Sequence, residues 1–484
     1  MPFRPGPSSR QALLQRPGRR IVALTAALVA AGSLGGLTAR AEVLVMSTAV
    51  GTGQGYSGDG GPAVEAGLEE PRMIAFDRRG GYYIADTYNH LIRHVDGAGV
   101  ISTYAGTPRK AGFRDGPGAQ AMFNAPHSVD VDATGNVIVG DPVNDRVRMI
   151  DAKTRQVTTI AGIGQTGYSG DGGPATQARL SDSKIALVGP DDAIYIDDMG
   201  NDVIRRLDRV TGNIETWAGQ KGVLGGPDGV HALQSGFSPR NITFDIDNDL
   251  IVADRDGNKI RSIDWETRII TTIAGSGVKG SGGDGGPALG AELDSPRGLG
   301  VDWMGNLYIA DSLNNRVRKV DAQTGDMTTA AGSPDSKGGR TDGPLDVATL
   351  SNPRHVIFDD GGSMYISDSG SSRIRKIANY IPPRPAPPSP PVGPGPGTTR
   401  SGYWLLDTAG EVYPFGDAGT PGRGESGSVD LEPTPSGHGY WIVNGKGEVS
   451  ALGDASVLAS VDHSRLGTGE AVTSLSSTST GQGY

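Results

Sequence analysis

From residue 42 to about residue 380 the chain alternates short runs of apolar and β-branched residues with clusters of Gly, Asn and Asp. Residues 295–332, SPRGLGVDWMGNLYIADSLNNRVRKVDAQTGDMTTAAG, show the pattern most clearly. They parse into four strands, Arg297 to Val301, Asn306 to Asp311, Arg316 to Val320 and Met327 to Ala331, with turns at Asp302 to Gly305, at Asn314-Asn315 and around Gly325. Period-two alternation bounded by turn residues predicts strands, and no helical period appears. The unit recurs. The aspartate that ends its second apolar run falls at Asp86, Asp141, Asp198, Asp254, Asp311 and Asp368, in steps of 55, 57, 56, 57 and 57 residues. Four antiparallel strands repeated in this way predict the blades of a β-propeller.

The ends of the repeat predict how the ring closes. The sixth unit stops after its third strand, Arg373 to Ile377, and runs into Pro-rich sequence. The segment Glu42 to Gly53, EVLVMSTAVGTG, matches the fourth-strand pattern of VISTYAGTP from Val100 and TTIAGIG from Thr158. It is therefore expected to complete the sixth blade and to remove a free sheet edge. The fold class is all-β: a six-bladed propeller over residues 42–380, its last blade closed by the N-terminal strand.

The repeated motif P-x-x-(V/I)-x-(V/F)-D…G-x-(I/L)-Y-I-A-D-x-x-N-x-x-(I/V)-R resembles the NHL repeat. The inter-blade segments GYSGDGGPA (Gly55 to Ala63 and Gly167 to Ala175) and GSGGDGGPA (Gly280 to Ala288) resemble the subgroup that includes the teneurin propeller. The resemblance covers residues 42–380 and implies the fold. It leaves function open, because such propellers serve as enzymes, RNA binders, sensors and adhesion surfaces.

Residues 381–400 are a polyproline spacer of the kind that separates domains. Residues 401–484 hold two units, GYWLLDTAGEVYPFGDA from Gly402 and GYWIVNGKGEVSALGDA from Gly439, similar to GYW…GDA repeats of secreted proteins from high-GC bacteria. A third unit begins at Gly483-Tyr484. Two such repeats are too few to bury a core by stacking, so the natural protein is expected to continue or this region to be poorly ordered.

Residues 1–41 read as a secretory signal peptide rather than fold. Arg4, Arg10, Arg16, Arg19 and Arg20 make a basic start, Ile21 to Ala31 an apolar stretch, and Ala39-Arg40-Ala41 a small-x-small cleavage site. The apolar stretch is well short of the roughly 20 residues that span a bilayer, so no transmembrane anchor is expected in the mature chain. Removing this segment takes away six arginines and no acid, which moves the formal charge from -10 to -16. So acidic a protein, with no basic run, is not expected to bind nucleic acid. Cysteine is absent, which excludes disulfides, thiolate metal sites and cysteine nucleophiles.

The chemistry that remains is sparse. His127 and His355 fall near the starts of innermost strands, close to the channel mouth, whereas His90 lies in a turn, His94 on a third strand and His231 in an inter-blade loop. The NHL resemblance implies a zinc site of three histidines there in some lyases, and this sequence offers two at non-equivalent offsets. A closed zinc site wants three or four converging ligands, so no metal is expected. No nucleophile elbow follows a strand and no phosphate-binding loop is present. Each GDGGPA loop brings one certain carboxylate, Asp59, Asp171 or Asp284, against the six to eight oxygens that calcium needs, so the loops are read as compact turns capped by Asp. No cofactor is expected.

One pattern repeats in all six units. Pairing positions across the two successive hairpins aligns a base, the closing Asp and a second base: Arg72, Asp86, Arg93; His127, Asp141, Arg148; Lys184, Asp198, Arg205; Arg240, Asp254, Arg261; Arg297, Asp311, Arg318; and Arg354, Asp368, Arg375. The expected register sets Arg72 opposite Asp86 and Asp86 opposite Arg93. Read structurally, each Asp bridges two strands. Read functionally, each triad has one base more than acid, and its first member lies nearest the axis. Arg72, His127, Lys184, Arg240, Arg297 and Arg354 would then ring the channel mouth and suit a carboxylate, a sulfate or an acidic glycan, unless loop acids such as Asp59 or Asp284 neutralise them. The function expected is a secreted, non-catalytic binding or scaffold propeller with a protein or glycan ligand at the channel mouth. A metal-dependent lyase or hydrolase acting there is the alternative, and a structural cell-surface repeat protein the second alternative.

Overall fold

The computed structural model describes residues 43–385 and, beyond them, five strands between Gly402 and Leu452. The signal peptide expected over residues 1–41, and most of the spacer, lie outside the described residues. The chain divides into two units at Arg384, and each is taken by itself.

In the first unit, six antiparallel sheets form a six-bladed propeller, and the described residues hold only strands and three-residue 3-10 turns. The innermost strands are Pro71–Phe76, Ser128–Val131, Ser183–Val188, Pro239–Phe244, Pro296–Val301 and Pro353–Phe358. They touch in order round the ring, the sixth against the first. In the fifth blade the remaining strands are Leu307–Asp311, Arg316–Val320 and Asp326–Ala331, within a residue of expectation. Alternation puts one face of each blade against its neighbour, so the apolar side chains gather between blades. Val50, Ile74, Ile84 and Ile374, fully buried together, seal the junction of the sixth blade with the first.

Closure is as expected. Val45–Val50 pairs antiparallel with Arg373–Ile377 as the fourth strand of the sixth blade, and Met46 and Val50 are fully buried. The inter-blade loops add a strand of their own. In five blades a two-residue strand, such as Gly61–Pro62 or Gly343–Pro344, folds back onto the fourth strand. In the third blade, single bridges from Asp171 and Pro174 do the same. The outer edge is thereby covered. The glycines permit this: Gly58 has φ +91°, and a Cβ there would lie 2.7 Å from the Ala66 Cα.

Two expected registers are corrected. Asp86 pairs with Pro71, not Arg72, because a bulge between Pro71 and Ile74 inserts an extra residue. The third, fourth, fifth and sixth blades carry the same bulge, with Ser183, Pro239, Pro296 and Pro353 opposite their aspartates. A bulge re-aims the side chain that follows it. In the next hairpin Asp86 pairs with Leu91, while Arg93 faces Ile84. The connecting turn is a 3-10 turn, Thr87–Asn89, followed by His90 in the left-handed region, and so is two residues longer than a tight hairpin. An even shift leaves Arg93 and Asp86 on one face.

The chain stays on the propeller beyond the expected boundary at 380. Trp303 Nε1 donates to the Pro382 carbonyl at 2.9 Å, and Arg384 N to that of Asp360 at 2.9 Å. In the second unit, Gly402–Leu406 pairs with Val412–Gly416, and Ser428–Pro433, Tyr440–Asn444 and Val449–Leu452 form a three-stranded antiparallel sheet.

Deleting residues 42–53 removes the fourth strand of the sixth blade and two fully buried side chains. Burying such a side chain is worth about 1.5–3 kcal/mol, and the loss of the strand's hydrogen bonds adds to this. The truncated propeller should melt well below the parent or aggregate, and an unchanged melting temperature would rule out closure by this strand.

Candidate functional site

The closing aspartate of each blade is buried and tied down from several sides. Asp86 accepts from Glu69 N at 2.7 Å, from Asn89 Nδ2 at 2.9 Å and from Arg93 Nη1 at 3.3 Å. Arg93 is itself fully buried, and its other nitrogen donates to Asp59 of the inter-blade loop at 2.6 Å. The same unit is built six times. The inner pairs are Arg148–Asp141 at 3.0 Å, Arg205–Asp198 at 3.3 Å, Arg261–Asp254 at 3.9 Å, Arg318–Asp311 at 3.7 Å and Arg375–Asp368 at 2.9 Å. The outer partners are Asp115, Asp171, Asp228, Asp284 and Asp342. Burial pushes Asp86, Asp141 and Asp198 up to about 6, against the hydrogen bonds and arginines that favour their charge.

The charge pattern is therefore acid–base–acid, with the loop acid as the third member. Asp115, Asp228 and Asp342 had no place in the sequence reading, although they precede their arginines by 33 residues, against 34 for Asp59. That spacing was the available signal. It also answers what the GDGGPA acids do: Asp59, Asp171 and Asp284 turn to the third-strand arginines and not to the axis. Tyr56 and Tyr168 of the same loops lay their rings against Arg93 and Arg205.

The first base of each expected triad goes elsewhere. Arg72 and Arg240, each following a bulge, meet His127, whose hairpin is paired without one: Arg72 Nη1 lies 2.9 Å from His127 Nε2, and Arg240 Nη1 and Nη2 each 3.2 Å from it. Burial and the charges of Arg72, Arg240, Lys184 and Arg354 hold His127 well below the ordinary histidine value. Burial, then the guanidiniums of Arg72, Arg297 and Arg240, likewise depress Arg354. Hydrogen bonds thus join Arg72, Arg240 and His127, and Arg354 feels the charges of Arg72, Arg297 and Arg240. Arg72 also reaches Glu70 at 3.1 Å and Tyr88 Oη at 3.3 Å, and Lys184 reaches Asp182 and the Met199 sulfur. Among the described residues, Arg240, Arg297 and Arg354 have no carboxylate within ion-pair distance. Arg354 and Arg240 are nevertheless 9% and 5% exposed, and Nε of Arg72, Arg297 and Arg354 has no hydrogen-bond partner. Tyr88, Val143 and Leu313, on the turns that follow three of the closing aspartates, add exposed apolar side chains.

Past the ring, beginning at Met73 and His355, lies a cavity of about 960 Å³ lined by all six innermost strands. His355 is buried in its wall, its Nδ1 3.5 Å from Ile74 N. The other histidines have local partners: His90 accepts from Ala125 N at 3.0 Å, His94 meets Asp77 at 2.8 Å, and His231 accepts from Leu233 N at 3.3 Å. Among the described residues no three His, Cys, Asp or Glu side chains are grouped to hold a metal. A cation beside His127 Nε2 would also face two guanidiniums.

Family models match in two places, "Teneurin NHL domain" over residues 41–117 and "NHL repeat" over residues 293–320. These matches fall on the first and fifth blades of the six-bladed architecture. The domain is an NHL-repeat propeller. Its relatives include Protein SUPPRESSOR OF QUENCHING 1, chloroplastic, of Arabidopsis thaliana, 28% identical over 64% of this chain and 30% of that protein. NHL repeat-containing protein 2 of Homo sapiens is 26% identical over 60% of this chain and 44% of that protein. The chain thus spans less than half the length of these relatives. Among solved structures, an auxiliary nutrient binding protein from Bacteroides thetaiotaomicron superposes with TM-score 0.52 at 18% identity, over 69% of this chain and 76% of that one, which shows the shared fold. Among the described residues no helix is long and apolar enough to cross a membrane.

Two outcomes follow for this NHL propeller. Replacing Arg205 with Met strands the fully buried Asp198 and should cost about 3–5 kcal/mol. Asp171→Asn, at the half-exposed end of the same unit, should cost about 1 kcal/mol or less. Denaturant melts of the two variants check this, and equal losses would dissolve the distinction. The second outcome concerns pH. Burial pushes His355 down to about 4, so between the unfolded value of about 6.5 and that point the unfolded chain holds a proton the native state lacks. Stability from this group is whole above pH 6.5 and is lost as pH falls. Relative to His355→Gln, the wild type should lose up to about 1.4 kcal/mol per pH unit across this window. Parallel stability curves for the two would contradict it.

Proposed function

We propose that this protein is an exported, non-catalytic binding propeller whose ligand, a protein or a glycan, presents an anionic group to the cationic channel mouth. The carrying observation is the set of three guanidiniums, Arg240 and Arg354 buried and Arg297 half-buried, with no carboxylate within ion-pair distance among the described residues. Guanidiniums do not shed their protons, so crowded ones are relieved by an anion drawn from outside. The six arginine units do not supply it, because their loop acids are already spent. Bidentate geometry makes arginine suited to carboxylate, sulfate and phosphate groups. The apolar side chains of Tyr88, Val143 and Leu313 extend the contact surface beyond the charge.

Export rests on the leader character of residues 1–41. The Bacteroides neighbour is described as nutrient-binding, and at 18% identity its likeness carries the fold and not the ligand. The lyase or hydrolase alternative needs a third ligand beside His127 and His355, and these two histidines are otherwise engaged.

The test is an acidic-glycan and small-anion binding panel on the wild-type protein and on an Arg240→Ala, Arg297→Ala double variant. Wild type should bind members of the panel, and the double variant should lose at least tenfold in affinity. Equal binding by both proteins, or none by either, would leave these residues as charges of the fold.

A further inference from the structure

One member of the ring differs from the other five. Five blades place Lys or Arg at this position, and the second blade places His127. Three N–H groups converge on its Nε2, one from Arg72 at 2.9 Å and two from Arg240 at 3.2 Å. Guanidinium nitrogens only donate, so Nε2 accepts and the imidazole proton lies on Nδ1, which is buried with no partner. An imidazole nitrogen offers one lone pair to those three donors, whereas a sulfate or phosphate oxygen offers more, together with negative charge.

The charge around this point sets the valence. Arg72, Lys184, Arg240, Arg297 and Arg354 are cationic. Glu70 answers Arg72 and Asp182 answers Lys184. The third acid is Asp197, fully buried, whose Oδ1 accepts from Lys184 N and Ile185 N at 2.8 and 3.0 Å and whose Oδ2 has no partner. Counting Asp197 as charged leaves a surplus of two positive charges. Burial and the surrounding guanidiniums meanwhile keep His127 neutral, so it adds no charge of its own.

We propose that the position of His127 Nε2 is the seat of one oxygen of a divalent oxyanion, a sulfate or phosphate group, and that His127 is an internal stand-in which the ligand displaces. The proposal rests on the anion-binding reading of the mouth and deepens it by naming the ligand's charge and the side chain that competes with it. The group is carried either by the free ion or by an ester on a glycan.

The experiment titrates inorganic sulfate, inorganic phosphate, acetate and a sulfated disaccharide at constant ionic strength, following both calorimetric binding and melting temperature. Sulfate and phosphate should bind more tightly than acetate. Tighter binding of the disaccharide than of sulfate identifies an ester ligand, and equal binding the free ion. His127→Ala vacates the seat and should tighten sulfate binding about tenfold. His127→Glu supplies an internal carboxylate; it should raise the melting temperature and abolish its dependence on sulfate. His127→Gln, neutral and able to accept, should bind as wild type does and controls for folding. Unchanged or weaker sulfate binding by His127→Ala overturns the proposal, as does a preference for acetate. If this happens while the Arg240→Ala, Arg297→Ala variant still loses acidic-glycan binding, the mouth binds anions elsewhere in the ring and only this seat is withdrawn.

Discussion

A guanidinium that is almost wholly buried sits between two carboxylates in every blade, and much of the propeller is arranged to make that tolerable. Taking an arginine out of water is costly unless its charge and its N–H groups are answered. Asp86 answers Arg93 from the second strand, Asp59 answers it from the loop, and the Gly67 and Ser57 carbonyls take further N–H groups at 3.3 and 3.2 Å. Those partners come from three stretches of chain that would otherwise be independent. The arginine therefore locks the loop to the blade, and the asparagine at the turn adds its own bond from Asn89 Nδ2 to the Gly55 carbonyl at 2.7 Å. The turn residue varies in two blades: the sixth has Ser371, with the Arg375–Asp368 contact at 2.9 Å. In the fourth, Gly257 stands where the asparagine would be and the Arg261–Asp254 contact is 3.9 Å, close to the 3.7 Å of the fifth blade, which keeps its asparagine.

This constraint decides what is left for function. Because each third-strand arginine consumes two acids, the loop carboxylates face outward and away from the axis. In five blades a bulge beside the closing aspartate then re-aims the preceding strand's base instead of letting it join the same network. The result is two populations of basic side chain in one fold, one saturated with partners and one short of them. An acidic protein of formal charge -10 thus holds a cationic centre, and low-dielectric walls strengthen its field.

Most of the fold was legible in the sequence because it depends on features that repeat. Strand boundaries follow alternation and turn residues, and the closure of the ring follows from a missing strand at one end and a spare one at the other. What escaped was geometry that a one-residue or two-residue difference decides. The bulge at Pro71 leaves no mark in the alternation of Pro71–Phe76, since both registers bury the same face further along. The 3-10 turn at Thr87–Asn89 shifts the pairing by two and so preserves the facing of Arg93, which is why the contact with Asp86 was anticipated while its register was not. The loop acids Asp115, Asp228 and Asp342 lie outside any GDGGPA string, and what marks them is their distance in sequence from the arginine.

At the mouth, the pairing from which the candidate positions were read is not the one the structure has. The expected register sets these bases opposite an aspartate, whereas Arg72 hydrogen-bonds to His127, Glu70 and Tyr88, and Arg240 to His127. The positions emerged because a sixfold repeat carries any regular offset to equivalent places round the axis, whether or not the offset describes a real contact. The same logic explains why His127 matters. A repeat that puts Lys or Arg at this place in five blades departs from it in the second, the blade whose first hairpin also lacks the bulge of the other five. What the position gains is seen at its side chain, where two guanidiniums converge on one imidazole acceptor.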